Sequence, residues 1–393
     1  MLSLRDIDFK AKKVLLRVDF NVPLKEGEIA DDTRIQASLD TINYILDKGG
    51  RLIIISHLGR PKGEKVKDMS LAPVAQRLSS LISRPVKFIP DCIGPEVENA
   101  IVGLRDGEAI LLENLRFYRE EEGNDSEFAR KLAGSADVYV NDAFATAHRA
   151  HASTVGVTHY IKTKMPGFLM EKEIKWLSKA CESPPHPFLV ILGGAKVSTK
   201  IDVIENLLPK CDKLLISGGM TYTFFRSLGK GVGNSILEED KLDVARKILD
   251  KAGDKLLLPS DCIVANRIAE DAEMKVMEEI PDGWIGVDTG PLTIERYKRE
   301  IESAKTILWN GPPGIFEINR FSNSTKEIIF ALKNAKEKGA IVIAGGGDTA
   351  SAINKVGLKE GFSHISTGGG ASLKFLAGKK LPGIVALMSE ETG

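Results

Sequence analysis

Twice along this chain of 393 residues, short apolar runs alternate with segments of helical periodicity, and that alternation is the tightest constraint on the fold. Val14 to Phe20, Leu52 to Ser56, Val86 to Ile89, Ala109 to Glu113 and Val138 to Asn141 read as strands. Between them, Thr33 to Leu46 places Ile35, Leu39, Ile42 and Leu46 at helical spacing, and Ser70 to Ile82 reads the same way. Strands separated by helices need crossover connections, so they should lie parallel in a sheet covered by helices on both faces.

The pattern breaks at Phe168 to Cys181, a helical stretch unlike a crossover, followed by Ser183, Pro184, Pro185, His186 and Pro187. Prolines this dense stop helix and strand alike. The alternation then restarts, with strands near Phe188 to Leu192, Lys213 to Ser217, Lys255 to Pro259, Thr306 to Trp309, Ala340 to Ala344 and His364 to Ser366. Helices are expected over Glu239 to Ala252, Ile294 to Ala304 and Thr325 to Lys338. The expectation is an α/β chain of two similar-sized domains, residues 1–168 and 188–380. Each is a mostly parallel sheet with helices on both faces, and a linker helix and hinge over 169–187 joins them.

Composition removes several classes. Lys plus Arg equals Asp plus Glu at 54 each, so no basic field points to nucleic acid. The four cysteines are scattered without CxxC spacing, which fits reduced thiols better than a disulfide framework or a zinc site. No run of 18 apolar residues exists, and MLSLRDIDFKAKK lacks the apolar core of an export signal, so a cytoplasmic protein without membrane partners is expected.

Ligands of open α/β sheets collect beyond the carboxyl ends of the strands. In the first half those ends carry Asp19, Phe20 and Asn21; His57, Leu58, Gly59 and Arg60; Arg116; and His148, Arg149 and His151, with Arg34 on the first helix. Arginine forks match phosphate and carboxylate oxygens, so a small, highly charged substrate suits this half. The second half supplies glycines instead: Gly193 and Gly194, Gly218 and Gly219, Gly311, Gly345 to Gly347 and Gly368 to Gly370.

In FLVILGGAKVSTK (Phe188 to Lys200) a strand breaks at two glycines and enters a segment carrying Lys196 and Lys200, read as one helical face. Asp348 serves equally as a helix N-cap or as a carboxylate for Mg²⁺ beside a polyphosphate, and the residues leave this open. Asp142 and Glu317 are likewise open between capping, solvated charge and function, and His57, His148 and His151 between acid–base and structural roles. Cationic side chains in one half and glycine walls in the other suggest phosphoryl transfer. No GxGxxG opens a helix after the first strand of either half, which disfavours hydride transfer. A hinged binding protein for a phosphorylated metabolite is the alternative.

RVDFNVP (Arg17 to Pro23), SHLGRP (Ser56 to Pro61), LLENLRF (Leu111 to Phe117), NDAFATAHRAHAS (Asn141 to Ser153), LGGAKVSTK, WNGPPGIFE (Trp309 to Glu317), GGGDT and STGGGAS (Ser366 to Ser372) resemble, in order, the signatures of the phosphoglycerate kinase family. The resemblance implies reversible transfer between ATP plus 3-phosphoglycerate and ADP plus 1,3-bisphosphoglycerate, with Mg²⁺, by a monomer that closes about its hinge. By carry-over, Asp19, Phe20, Asn21, Arg34, His57, Leu58, Gly59, Arg60, Arg116 and Arg149 hold the phosphoglycerate. Gly194, Ala195, Lys196, Lys200, Gly219, Gly286, Asn310, Pro312, Glu317, Gly346, Gly347, Asp348 and Thr349 hold the nucleotide, with Asp348 toward the metal and Glu317 toward the ribose.

Arg34, Lys196, Gly369 and Gly370 are the expected catalytic groups, and residues 381–393 are expected to fold back onto the first domain. Two positions depart from the family pattern: Lys374 where Glu is usual, and Pro313 where a non-proline is usual.

Overall fold

A computed structural model describes residues 2–389. The chain divides into two compact units, one made of the residues up to Ile174 together with those from Lys380, the other of Lys175–Lys379. The helix Phe168–Cys181 contributes its first half to one unit and its second half to the other.

The first unit holds strands β1 (Lys13–Arg17), a small hairpin β2 (Leu24–Lys25) and β3 (Glu28–Ile29), then β4 (Arg51–Ile55), β5 (Val86–Ile89), β6 (Ala109–Leu112), β7 (Val138–Asn141) and β8 (Thr163–Pro166). Six of them form one sheet in the order β5-β6-β4-β1-β7-β8, every pair parallel. Side chains alternate between its faces, so Val14 and Leu16 enter one core while Leu15 enters the other. Strand β8 was not among the expected strands. Its residues, Thr-Lys-Met-Pro, form no apolar run, and edge position tolerates the proline. The helix expected over Thr33 to Leu46 breaks at Ser38 into Thr33–Ala37 and Leu39–Asp47.

The helix Phe168–Cys181 follows Gly167, which has no side chain to cap it with. Distant groups cap it instead: Thr41 Oγ1 accepts from Phe168 N at 2.9 Å, and Asp142 Oδ1 from Met170 N at 3.0 Å. Asp142 is therefore a capping residue. Burial raises its carboxyl pKa to about 6.

The segment after Lys379 carries the helix Pro382–Met388, whose Leu387 joins the core of the first unit. Gly383 N donates to the Ala147 carbonyl at 2.9 Å, and Lys164 Nζ donates to Ser389 Oγ at 3.2 Å. Residues 390–393 of the expected fold-back lie outside the described residues.

The second unit holds β9 (Phe188–Leu192), β10 (Lys213–Ile216), β11 (Leu256–Leu257), β12 (Cys262–Ala265), β13 (Met274–Met277), β14 (Ile285–Thr289), β15 (Thr306–Asn310), β16 (Ile341–Gly345) and β17 (His364–Ser366). Six form a parallel sheet in the order β11-β10-β9-β15-β16-β17. The antiparallel set β13-β12-β14 was not anticipated, because β13 is largely exposed and carries no apolar periodicity.

Both sheets reverse their direction of growth beside their first strand. After β1 the chain adds β4, then β5 at the edge and β6 between them, on one side before placing β7 on the other. After β9 it adds β10 and β11, then places β15 across β9. A crevice opens where the winding switches, which makes the ends of β1 and β7 in one unit and of β9 and β15 in the other the candidate ligand positions.

Candidate active site

At the first switch point, the residues after β1 and β4 are tied to one another and to their neighbours by side-chain hydrogen bonds. Asp19 Oδ2 accepts from Arg34 at 2.8 Å, and Asn21 Oδ1 accepts from Gly59 N at 2.9 Å. Arg116 donates to the Gly59 carbonyl at 2.7 Å and faces Glu122 at 3.2 Å. Arg149 donates to His148 Nε2 at 3.2 Å. Arg60 is exposed and has no ion pair among the described residues. Arg17, fully buried at the end of β1, donates to His57 Nδ1 at 3.2 Å.

The electrostatic consequence reads out on the histidines. Burial, then Arg17, Arg116 and Arg34, hold His57 well below the ordinary imidazole value. Burial, then Arg17, Arg116 and Arg149, push His151 down to about 3. Both rings are neutral at physiological pH, so the positive potential there comes from guanidinium groups, which no accessible pH removes. Such a concentration of cations suits an anion.

Phe20 and Leu58 frame this site without facing it. Both side chains lie in the hydrophobic core. The Leu58 N–H donates to Asn114 Oδ1 and its carbonyl accepts from Asn114 Nδ2, while Phe20 N donates to Ser56 Oγ.

At the second switch point the glycines have two distinct reasons to be glycine. A Cβ on Gly193 would stand 2.4 Å from the Gly311 carbonyl oxygen, and one on Gly218 2.6 Å from Gly194 N. These glycines admit one another, where the sequence suggested that they admit a ligand. Gly194 and Gly347, by contrast, have open space where a Cβ would go, and so does Gly369 at the cap of the helix Gly370–Leu376. Gly286 belongs to the packing class, since a Cβ there would strike Tyr222.

Lys196 and Lys200 do not share a helical face. Lys196 is extended and exposed, a 3-10 turn occupies Val197–Thr199, and Lys200 precedes the helix Ile201–Leu207. The broken turn sends Lys200 inward, where its Nζ donates to Asn310 Oδ1. Burial lowers its pKa to about 8, with the Asp348 carboxylate pulling the other way. Asn310 Nδ2 in turn donates to the Gly345 carbonyl at 2.7 Å, and Gly311 N donates to Thr349 Oγ1 at 2.8 Å.

Asp348 is not an N-cap. Gly346 caps the helix Gly347–Val356, no side chain bonds to that cap, and Asp348 stands exposed in the first turn. Glu317 is also exposed, on a loop whose Phe316 and Glu317 carbonyls both accept from Lys355 Nζ. Pro313 is buried, its carbonyl 3.5 Å from Thr289 Oγ1, and Lys374 has no ion pair among the described residues.

This pairing of an arginine-rich switch point with a glycine-walled one can be placed among known proteins. The family model for phosphoglycerate kinase matches residues 4–379. The chain belongs to the phosphoglycerate kinase family. It is 56% identical over 395 residues to the phosphoglycerate kinase of Dictyoglomus turgidum, covering 99% of each chain. It is 54% identical over 396 residues to that of Thermosipho africanus, covering 99% of this chain and 98% of the relative. The structure of phosphoglycerate kinase from Coxiella burnetii superposes with a TM-score of 0.89 at 41% identity, covering 98% of each chain.

Against the phosphoglycerate kinase pattern, three neighbours of the site had not been singled out from sequence. Arg17 sits in an apolar strand, where its charge looks like an interruption. Glu121 falls within Arg119–Glu122, a charge run that resembles a solvated helix, yet it is completely buried. Ile236 is 44% exposed, and its methyl group borders Gly219 beside Ala195, giving an apolar surface among the glycine walls.

Among the described residues no three His, Cys, Asp or Glu side chains are grouped to hold a metal ion. The exposed Asp348 carboxylate beside Lys200 therefore fits a cation whose remaining ligands are phosphate oxygens and water.

Proposed function

We propose that this chain is a phosphoglycerate kinase that reversibly transfers a phosphoryl group between 1,3-bisphosphoglycerate and ADP, giving 3-phosphoglycerate and ATP. The observation that carries the reading is the cluster of Arg17, Arg34, Arg116 and Arg149 around one switch point, whose members add to burial in holding His57 and His151 unprotonated. The cluster suits a compact polyanion, and 3-phosphoglycerate carries both a phosphate and the carboxylate that accepts the transferred group. Asp19, Asn21, His57, Arg60, Arg116 and Arg149 are assigned to its binding. In the second unit Gly194, Ala195, Gly219, Glu317, Gly346, Gly347 and Thr349 line the nucleotide, and Lys196 and Lys200 meet its phosphates.

Phosphoryl transfer asks the protein mainly to position the reactants and to balance charge. Arg34, whose guanidinium rests on Asp19, is assigned to the charge that develops on the group in transit. The backbone N–H groups at Gly369 and Gly370 are assigned a share of it. Asp348 would hold Mg²⁺, which neutralises nucleotide phosphate charge when bound. Because the two ligands are assigned to different units, transfer requires a hinge movement that brings the units together around them. We place the enzyme in the cytoplasm as a monomer acting in glycolysis and gluconeogenesis.

The test is a coupled assay of ATP formation from 1,3-bisphosphoglycerate and ADP across a Mg²⁺ titration. Wild-type protein is expected to form ATP, and Asp348→Asn to need more Mg²⁺ for half-maximal rate. Absence of ATP formation overturns the function. An unchanged Mg²⁺ requirement overturns the role of Asp348.

A further inference from the structure

His57 ends a chain of hydrogen bonds that runs back into the interior. Arg17 Nε donates to Ser153 Oγ at 2.8 Å, one terminal nitrogen donates to the Val18 carbonyl, and the other donates to His57 Nδ1 at 3.2 Å. Ser153 donates from its hydroxyl to Glu121 Oε1 at 2.6 Å and from its backbone N–H to Glu121 Oε2 at 2.9 Å. Arg17, Ser153 and Glu121 are all fully buried.

The direction of each bond follows from chemistry. A guanidinium has donors only, so His57 Nδ1 must accept and the single ring proton resides on Nε2. Ser153 has one hydroxyl proton, so giving it to Glu121 leaves a lone pair to receive Arg17 Nε–H. Glu121 supplies the buried negative charge that balances a buried guanidinium, reached through one hydroxyl. The charged and titratable groups facing His57 are Arg17, Arg34, Arg116, His151 and Asp19, whose Oδ1 lies 3.9 Å from Nδ1. Asp19 favours an imidazolium; a proton on Nδ1 would set N–H against the N–H of Arg17.

We propose that Glu121 and Ser153 are positioning residues for the substrate side, acting through Arg17 to hold His57 as a neutral donor with its proton on Nε2. The relay matters because an arriving polyanion pulls protons onto any free imidazole near it, and a ring that gains a proton can also turn. With Nδ1 occupied by Arg17, His57 offers the ligand one fixed N–H and takes up no proton on binding. The functional part of the proposal rests on 3-phosphoglycerate being the ligand of this unit. Glu121 also lies 3.7 Å from His151 Nδ1 and accepts Ala152 N at its carbonyl, so the test must separate positioning from simple bracing of that loop.

Nitrogen NMR on full-length protein with ¹⁵N-labelled histidine, free of substrate, makes that separation. In the wild type, His57 is expected to show an unprotonated Nδ1 and a protonated Nε2 that do not titrate between about pH 5 and 8. In Ser153→Ala the ring is expected to become a tautomer mixture or to titrate in that window. KM for 3-phosphoglycerate should rise about tenfold while KM for ATP stays unchanged. Ser153→Thr, which keeps the hydroxyl, should restore the wild-type spectrum, and Glu121→Gln should resemble Ser153→Ala.

A wild-type His57 protonated on Nδ1, or titrating freely, overturns the proposal whether or not any variant folds. Folded Ser153→Ala and Glu121→Gln proteins with wild-type His57 signals overturn it equally. A wild type inactive in the coupled assay refutes the proposed function and leaves the spectroscopic result standing.

Discussion

At the scale of single residues, the charges divide into those that titrate and those that do not. Arg34 carries the permanent charge of a guanidinium. Its replacement by alanine is expected to lower kcat by about 10³ or more with a smaller change in KM, since its charge is needed most when the phosphoryl group is in transit. A change confined to KM in steady-state assays would reassign it to ground-state binding. Lys200 is of the first kind, its pKa lowered from the ordinary 10.5 to about 8 by burial. Because the folded state favours the neutral amine, the fold binds fewer protons than the unfolded chain between those values, and stability rises with pH across that window. Affinity for the nucleotide should move the opposite way, ADP binding weakening about tenfold by pH 9 as the ammonium is lost, whereas Lys200→Arg should stay flat. Isothermal titration at several pH values measures this. At this scale the sequence showed which residues collect at strand ends, but not their surroundings. Lys200 read as sharing a helical face with Lys196, and Glu121 was not singled out, because burial depends on a turn and a loop whose paths come from distant contacts.

At the scale of elements, the alternation of apolar runs with helical periodicity made both parallel sheets legible, since fully buried strands such as Phe188–Leu192 have no polar positions to blur them. The antiparallel set β12 to β14 was not anticipated, although β12 is itself a short apolar run, and the edge strand β8 was not legible because its residues are half-polar and pairing with a neighbour, not their own pattern, makes them a strand. The glycine clusters at the strand ends were legible, but not their division of labour. Gly311 has φ +101° and a Cβ there would stand 2.4 Å from the Gly193 carbonyl carbon. Gly311→Ala is therefore expected to cost several kcal/mol of stability, on the order of other overpacked or strained backbone positions. Gly347 has empty space instead, and Gly347→Ala should leave thermal unfolding nearly unchanged while raising KM for ADP. Equal effects of the two substitutions on melting temperature would refute the distinction.

At the scale of the whole molecule, the chain enters its first unit, leaves it for the second after Ile174 and returns after Lys379. The returning helix Pro382–Met388 buries Leu387 and braces Ala147, two residues before Arg149. Leu387→Ala is expected to destabilise the first unit by about 2–5 kcal/mol and to weaken 3-phosphoglycerate binding, with ADP binding intact. Calorimetry and separate ligand titrations check both halves of that statement, and an equal loss of both affinities would refute it. The order of manufacture follows from the same path. Ribosomes deliver residues from the amino end, and domains tend to fold as they emerge. The second unit is one continuous stretch, complete once Lys379 has been made, whereas the first must wait for residues 380–389 before its core is sealed. On a ribosome, the half begun first is finished last.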